Sequence, residues 1–381
     1  MRRIRRRVIQ NQDKYLTDPS TGRALVSFLV QHLLLPPAYR DRFNSQTLMM
    51  ESMVRSLNEL GYVVDVVNWD NTSWRPSRHY DLFIGHGSIN YKQISDYLST
   101  DTIRIYYSTG THWREQNVRE AERIFNLAKR TGFLLPPDRA NLNNEDVAYL
   151  AADAIICLGN REVVDRFSMF RNVFNINNPV SPLNWEGWHN KDYRNGSKHF
   201  LFFAGHGNIH KGLDLLLEVF AEAKDFHLHI CQHLEPTFSR VFSTYLTALD
   251  NIHVYGFTKA RSPEYDNLAN LCDWAILPTC SEGQPGSTIE CMAHGLIPIL
   301  PDSANIDLED WGVHLPDCEI STIRSVVEYC SRMPSEEIRQ RATKVMAVTQ
   351  ESYSQEGFQN RFKAIVSSIV NNKDTVGKAK K

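Results

Sequence analysis

Strand-like and helix-like segments alternate along most of this chain, and that alternation limits the possible folds more than any other feature. Apolar runs such as YVVDVV at 62–67 and IRIYYS at 103–108 have the length and composition of buried strands. The segment 47–60 repeats apolar residues such as Met50 and Met53 every three or four positions, which predicts an amphipathic helix. Strands joined by helices in this way predict a doubly wound parallel sheet.

The alternation falls into two runs, which predicts two domains. Residues 179–197 separate the runs and are rich in Pro, Gly, Asn and Ser without a hydrophobic period, as in a linker. The length of 381 residues agrees, since domains average about 150. We therefore predict an α/β protein with two Rossmann-like, doubly wound parallel-sheet domains. The expected ranges are a basic tail at 1–22, an N-terminal domain at 23–178, a C-terminal domain at 198–350, a helix at 351–372 that is able to return to the first domain, and a basic tail at 373–381.

The remaining elements are predicted from the same signals. Further strands are expected at 24–30, 81–85, 154–159, 173–177, 199–205, 227–231, 253–257, 274–278 and 297–301, and further helices at 115–130, 160–167 and 211–224.

Charge is distributed unevenly along the chain. Residues 1–7 carry five arginines and residues 373–381 carry four lysines against one aspartate. The remainder has 33 basic and 43 acidic residues, a net charge of −10, which disfavours nucleic-acid binding. The basic ends predict a weak contact with an anionic membrane, and solvated tails without a partner are the alternative.

Cysteine usage and hydropathy indicate the compartment. The seven cysteines are odd in number and mostly occur in apolar stretches such as AIICLG, which predicts reduced thiols rather than a disulfide framework. The apolar runs are far shorter than the ~20 residues of a membrane-spanning helix. The charged start MRRIRRR lacks the apolar region of a signal peptide behind it, so a cytoplasmic location is expected.

The loop AGHGNIHKG at 204–212 has the composition of a phosphate site. Ligands of open parallel sheets bind beyond the carboxyl ends of strands, and this loop joins a predicted strand to a helix expected to open at Lys211. Gly205 and Gly207 allow a ligand to approach the backbone closely, and Lys211 adds a positive charge to the helix N-terminus. A glycine turn with a solvated lysine is the alternative.

The loop PTCSEGQPGSTIECMAHG at 278–295 places two carboxylates eight residues apart. Glu282 is expected in the loop and Glu290 about one turn into the following helix, with free backbone amides between them. Ionised carboxylates are strong acceptors for sugar hydroxyls, and a sugar nucleotide has hydroxyls at both ends of its diphosphate. The intervening candidates for ligand contact are Gly283, Gly286, Ser287 and Thr288.

A third loop follows the strand predicted at 253–257. Gly256 and Phe257 are able to present backbone groups and an aromatic ring to a base. A ring at this position is also typical of a core residue, which is the alternative interpretation.

These loops resemble those of the retaining glycosyltransferases of the GT-B fold, the group that contains glycogen synthase and sucrose synthase. The resemblance covers residues 199–300: G-x5-K-G at 205–212 is similar to the family's donor-phosphate motif, and EGQPGSTIECMAHGLIPIL to its E-x7-E motif. The resemblance implies two Rossmann-like domains facing a cleft. It also implies that Lys211 contacts the leaving diphosphate, Glu282 holds hydroxyls of the donor sugar and Glu290 holds the ribose.

The implied activity is transfer of a sugar from a nucleoside diphosphate to a hydroxyl of a glycan or lipid-linked glycan, with retention of configuration. Two alternatives stay open. One is a nucleotide-sugar epimerase or hydrolase on the same fold, which would form product without an acceptor. The other is a catalytically silent module that binds a glycan or nucleotide.

Some site positions depart from the family or are only weakly supported. Many relatives have an arginine where this chain has His206, and a histidine, which is ordinarily only partly protonated at pH 7, would supply only part of that charge. His112 follows the strand at 103–108, where many relatives carry a histidine near the donor sugar; a polar loop histidine is the alternative. Arg40, Arg42 and Arg114 are the candidates for the acceptor side.

Other chemistries find little support in the sequence. No DxD motif occurs, so we expect no metal ion on the diphosphate and no cofactor beyond the nucleotide sugar. His227, His229 and Cys231 alternate on one strand and have the residue types of a zinc site, although burial in a sheet explains them as well. GxSxG and CxxC are both missing, which disfavours a hydrolase nucleophile and dithiol redox chemistry.

Overall fold

The computed structural model describes residues 8–18, 21–34, 44–181, 191, 193 and 195–378, with side chains up to residue 372. The strands are β1 (Val8–Gln12), β2 (Gly22–Phe28), β3 (Tyr62–Asn68), β4 (Leu82–Gly85), β5 (Ile103–Ser108), β6 (Ala154–Leu158), β7 (Val173–Ile176), β8 (His199–Phe203), β9 (His227–Cys231), β10 (Ile252–Val254), β11 (Trp274–Ile276), β12 (Ile297–Leu300) and β13 (Val313–His314). The helices are α1 (Gln31–Leu34), α2 (Ser45–Glu59), α3 (Ser88–Ser95), α4 (Trp113–Thr131), α5 (Asp146–Tyr149), α6 (Arg161–Asp165), α7 (Leu213–Glu222), α8 (Pro236–Val241), α9 (Ser243–Thr247), α10 (Pro263–Leu271), α11 (Gly286–Ala293), α12 (Ile320–Ser331), α13 (Ser335–Ser352) and α14 (Gln355–Lys378).

The chain forms two compact units. Unit 1 comprises Met1–Trp113, Leu142–Ser181 and Tyr353–Lys381, and unit 2 comprises Arg114–Asn141 and Pro182–Ser352. Each unit contains one largely parallel sheet with helices packed on it, which confirms the predicted α/β class with two Rossmann-like domains.

The sheet of unit 1 has the order β1-β3-β2-β4-β5-β6-β7. Its strands pair in parallel except β1, which is antiparallel to β3 at the edge. The expected tail at 1–22 is therefore corrected: Val8 pairs with Val67, and the Asn11 amide donates to Asp65 at 2.8 Å. The short polar sequence VIQNQ gave no strand signal, because an edge strand buries little of its surface.

The sheet of unit 2 has the order β10-β9-β8-β11-β12-β13 and is parallel throughout its described strands. β13 was not predicted because its two residues are too few to show a period. The carboxyl ends of the central strands β8 and β11, which pair directly, bring the loops that follow them side by side.

The units differ from the predicted domains in one segment. Residues 114–141 follow β5 and were expected in the N-terminal domain, but they belong to unit 2. The reason is the buried face of α4: Arg123 donates to the carbonyl oxygen of Pro278 at 3.0 Å, and Arg130 donates to Asp214 at 2.6 Å. The last helix, α14, belongs to unit 1 and packs on α2, where Phe362 and Val366 are buried.

The end of the predicted linker is packed into unit 2, while most of its other residues lie outside the described part of the chain. Lys191 is buried, with its ammonium 3.4 Å from the Asp273 carboxylate and donating to the carbonyl of Ala269 at 3.0 Å. Burial lowers the pKa of Lys191, and the nearby Asp273 charge opposes that shift. None of the described helices has the length and apolar character needed to cross a membrane.

Four histidines stack across one face of β8, β9 and β10 and form a histidine ladder. His199 bonds His229 at 2.9 Å, His227 bonds His253 at 3.2 Å, and His229 bonds the hydroxyl of Tyr255 at 3.2 Å. The rings of His227 and His229 therefore contact residues of neighbouring strands. This agrees with burial in a sheet, which was the alternative to a zinc site with Cys231. Burial, together with the neighbouring histidines, lowers the pKa of His229 to about 3 and that of His199 to about 4.

The histidine ladder should make unit 2 sensitive to acid. Below a pH of about 6.5 the unfolded chain takes up protons on His199 and His229 and the native chain does not, so stability falls until the pH approaches the native pKa values. We expect the unfolding midpoint in urea to decrease from about pH 7.5 to about pH 5, and to decrease less in His229→Gln. The exposed His314→Gln variant is the control. If the midpoint decreased equally in the parent, His229→Gln and His314→Gln, the histidine ladder would not be the cause of the acid sensitivity.

Candidate functional site

The loop after β8 is a tight turn that ends in a glycine. The Lys211 amide donates to the Gly207 carbonyl at 3.0 Å, and the Gly212 amide donates to the Ile209 carbonyl at 3.0 Å. Gly207 and Gly212 have φ angles of 99° and 82°, a region that favours glycine. Helix α7 begins at Leu213, so the helix start predicted at Lys211 is wrong by two residues, because the Lys211 amide is used in the turn.

Gly212 also allows this loop to approach the loop after β11. A Cβ atom at this position would overlap the carbonyl oxygen of Pro278, and the Arg123 guanidinium would lie 2.9 Å away. The backbone oxygen cannot move without displacing the strand end that carries it. The close approach of the two loops therefore requires glycine.

Gly212→Ala should destabilise the protein by about 2 to 4 kcal/mol, because it combines a strained φ angle with an overlap in a packed region. Gly256→Ala is the matched control: its φ angle of 73° is similar, but a Cβ there would have no atom within 4 Å. The control should lose only about 1 kcal/mol. Urea unfolding of both variants measures the difference, and equal losses would show that the loop contact is unimportant.

The loop after β11 holds Glu282 in position through its backbone. Asn305 donates from Nδ2 to the carbonyl oxygens of Glu282 at 2.7 Å and Gly283 at 2.9 Å. Gln284 in turn donates to the Asn305 carbonyl at 3.0 Å. Glu282 lies in the loop and Glu290 in the second turn of α11, as the spacing predicts.

Lys211 and Glu282 meet where the two loops adjoin. The Lys211 ammonium donates to Glu282 Oε1, which also accepts from the Thr279 hydroxyl at 2.8 Å. Both side chains are buried. Burial acts to raise the pKa of Glu282, but the charges of Lys211 and Arg139 prevail and lower it to about 2. The pair is therefore ionised, with a carboxylate fixed beside a buried cation.

An arginine that no sequence motif indicates lies beside this pair. The side chain of Arg139 covers Gly207, and its guanidinium donates to the His206 carbonyl at 3.4 Å. Arg139 is exposed, and its charge lowers the pKa of Glu282. His206 is itself 77% exposed, 3.9 Å from Glu235, and Gly205 is exposed.

The start of α11 offers fewer free amides than predicted. The Thr288 amide donates to the carbonyl of Pro285 at 3.1 Å, so the expectation of a free amide at Thr288 is wrong. The first turn of a helix leaves its leading amides without intrahelical acceptors, and Gly286 and Ser287 occupy those positions. These two amides remain the candidates for an anion.

Glu290 forms an ion pair that the sequence did not predict. The Arg261 guanidinium donates to Glu290 Oε1 at 2.5 Å and Oε2 at 3.3 Å, and both side chains are buried. Arg261 has a φ angle of 57°, an uncommon backbone conformation for arginine.

The side chain of Phe257 is 81% exposed. Its interpretation as a core residue is therefore wrong, and its ring is available to a ligand.

The remaining candidates are His112 of unit 1 and the three acceptor-side arginines. His112 is buried, with its ring 5.4 Å from those of Tyr149 and Phe167 and its Nε2 atom 3.8 Å from Asp146. It therefore lies in the loop between β5 and α4 with its ring packed among aromatic rings. Arg114 is exposed at the start of α4 and belongs to unit 2. Arg40 and Arg42 lie outside the described residues.

Comparisons with known proteins are consistent with this geometry. Residues 186–306, about a third of the chain, match the family Glycosyl transferases group 1. Sucrose-phosphate synthase from Thermosynechococcus elongatus aligns over 92% of this chain and 99% of its own, with 12% identity and a TM-score of 0.63. Anabaena Alr3699/HepE, solved in complex with UDP and glucose, aligns over 91% of this chain and 99% of its own, with 12% identity and a TM-score of 0.57.

TarM from S. aureus is similar over a smaller part of its length. Its mutant, solved in complex with Fondaparinux, alpha-GlcNAc-glycerol and UDP, aligns over 74% of this chain with 15% identity and a TM-score of 0.54. The aligned part is 55% of TarM, so this chain spans about half of that protein. A search of the curated proteins found no match. These likenesses show that the chain has the GT-B fold, and residues 186–306 are similar to the group 1 glycosyltransferases.

Proposed function

We propose that this protein is a retaining glycosyltransferase that moves a sugar from a nucleoside diphosphate to a hydroxyl of a saccharide or lipid-linked acceptor. The observation that carries the proposal is the buried pair of Lys211 and Glu282 at the ends of β8 and β11. Such a pair offers a cation for a diphosphate and a carboxylate for sugar hydroxyls within one site. The similarity of residues 186–306 to the group 1 glycosyltransferases supports it.

In this proposal the diphosphate binds between the glycine turn and the start of α11. Lys211, Arg139 and the amides of Gly286 and Ser287 supply its positive surroundings. Arg139 takes the place of the arginine that the resemblance leads one to expect at position 206. Fixed charges of this kind stabilise the leaving group as negative charge develops on it.

The donor sugar would be oriented by Glu282, whose low pKa keeps it an acceptor of hydrogen bonds. Glu290, held by Arg261, would accept from the ribose, and the exposed ring of Phe257 would contact the base. UDP is the first nucleotide to test, because the HepE and TarM structures contain it.

The acceptor hydroxyl would attack on the face that the diphosphate leaves, and a phosphate oxygen would take its proton. The carbon–oxygen bond to the diphosphate breaks as the bond to the acceptor forms on the same face, which gives retention. The protein then contributes positioning and charge stabilisation, without a covalent nucleophile or a metal ion on the diphosphate.

A cytoplasmic location and weak membrane contact of the basic ends stay predictions, since residues 1–7 lie outside the described part.

Arg139→Ala tests the diphosphate site, because this side chain is exposed and its loss leaves no buried charge unpaired. We expect kcat/KM for the nucleotide sugar to fall about 10- to 100-fold, as for loss of a charge-assisted hydrogen bond. Arg332→Ala, which removes an exposed arginine of the same unit, is the control and should retain full activity. If Arg139→Ala also retains full activity, the diphosphate does not bind at the glycine turn.

A further inference from the structure

Three ionisable side chains from separate segments of unit 2 converge in the interior. Glu120 comes from α4, Asp138 from the segment after it, and His210 from the glycine turn after β8. One ligand-type atom of each lies within 4.8 Å of the others. Glu120 and His210 are both only 1% exposed.

Each of the three side chains is held by the backbone through one polar atom. Glu120 Oε1 accepts from the amides of Asp138 at 2.9 Å and Arg139 at 2.6 Å. Asp138 Oδ2 accepts from the Ile209 amide at 2.9 Å, and His210 Nε2 lies 2.5 Å from the Ser281 carbonyl oxygen. Within the described part of the chain, the other three polar atoms are buried and have no hydrogen-bond partner: Glu120 Oε2, Asp138 Oδ1 and His210 Nδ1.

The hydrogen bonds decide what such a cluster is able to bind. A carbonyl oxygen only accepts, so His210 Nε2 carries a proton and donates it to Ser281. A histidine that ligates a metal through Nδ1 is neutral, and His210 Nδ1 would then face the two carboxylates, so that three acceptors surround one buried space. Burying acceptors without a donor is costly, and a cation bound between them removes that cost.

We propose that Glu120, Asp138 and His210 bind a divalent metal ion of the zinc type. One imidazole nitrogen and two carboxylate oxygens form a donor set suited to zinc, and metal-bound histidines usually donate their other N–H to a carbonyl or carboxylate. His210 Nδ1 and Glu120 Oε2 are 3.8 Å apart. Two ligands of a tetrahedral zinc ion are about 3.4 Å apart, so small side-chain movements close the site.

The position of these ligands suggests what the ion does. His210 directly precedes Lys211, and Asp138 directly precedes Arg139. An ion that joins His210 to Asp138 would therefore fix the backbone next to Lys211 and Arg139 at once. This consequence rests on the proposed function, whereas the metal site itself does not. The ion would hold the glycine turn in place and would not contact the diphosphate, so it differs from the catalytic metal that the missing DxD motif disfavours.

Metal binding is measured on the full chain after treatment with a chelator and its removal, using Zn²⁺ alone as the probe. We expect one tightly bound equivalent and a rise in the unfolding temperature. His210→Gln and Glu120→Gln should weaken binding at least about 100-fold, because even the loss of groups that only orient a ligand costs 10- to 100-fold. His314→Gln is the control, since it removes an exposed histidine 2.8 Å from Asp302, and it should bind as the parent does.

Asp138→Asn gives a second readout that does not depend on activity. It removes one of two facing carboxylates, so the metal-free variant should unfold at the same or a higher temperature than the metal-free parent, and Zn²⁺ should no longer stabilise it. Absence of tight binding to the parent, or binding unchanged in His210→Gln and Asp138→Asn, would overturn the proposal. If the variants fail to fold, X-ray absorption of the zinc-loaded parent decides: a shell of oxygen and nitrogen with one imidazole supports the site, and a sulfur shell overturns it.

Discussion

Replacing Glu282 by glutamine should lower the transfer rate about 100- to 1000-fold while affinity for the nucleoside diphosphate alone stays within a few-fold. The amide keeps the shape of the side chain and one acceptor, but it loses the charge that binds sugar hydroxyls. The backbone of the loop is held by Asn305 through the carbonyls of Glu282 and Gly283, so the substitution should leave the loop in place. Steady-state kinetics and calorimetric titration with the diphosphate measure the two quantities separately.

Glu336→Gln, which changes an exposed carboxylate of the same unit, is the matched control and should behave as the parent. Parallel loss of diphosphate affinity and of turnover in Glu282→Gln would argue against a contact with the sugar. It would instead place Glu282 among the groups that only maintain the site.

Lys211→Met should lower kcat at least about 100-fold, or about 3 kcal/mol, because it removes a charge that stabilises the leaving diphosphate. The variant also leaves Glu282 buried without the cation that bonds it directly, which should cost about 3 to 5 kcal/mol of stability. The double variant with Glu282→Gln should recover much of that stability and none of the activity. Unfolding in urea together with kcat therefore separates the chemical role from the structural one.

Lys224→Met removes an exposed lysine of unit 2 and should change neither kcat nor the stability measured by unfolding in urea. Activity of Lys211→Met within tenfold of the parent would mean that the pair with Glu282 only joins two loops. The donor site would then have to be sought elsewhere in the unit.

The sequence predicted those features that depend on local order along the chain. Alternating strands and helices were evident from periodicity, and the two loops were evident because glycines, a lysine and two glutamates follow strands directly. Lys211 and Glu282 meet because β8 and β11 are adjacent, and parallel pairing places the loops that follow these strands at the same edge of the sheet.

Other features depend on contacts between residues that are distant in the sequence, and no local pattern reports them. Arg139 lies 67 positions from His206, whose carbonyl it contacts. Asn305 has no motif around it, yet its left-handed backbone, with φ of 54°, and its buried amide hold the loop of Glu282. Arg261 was overlooked because charged residues in loops are usually solvated, whereas this one is paired with Glu290.

The central claim is tested most directly by following nucleoside diphosphate release from a series of nucleotide sugars, beginning with UDP-sugars, with and without saccharide acceptors. NMR of the product gives the anomeric configuration in the same experiment. The account predicts release that depends on an acceptor and a glycoside with the configuration of the donor. Release at the same rate without an acceptor would indicate a hydrolase or epimerase, an inverted product would contradict retention, and no release from any donor would contradict transferase activity.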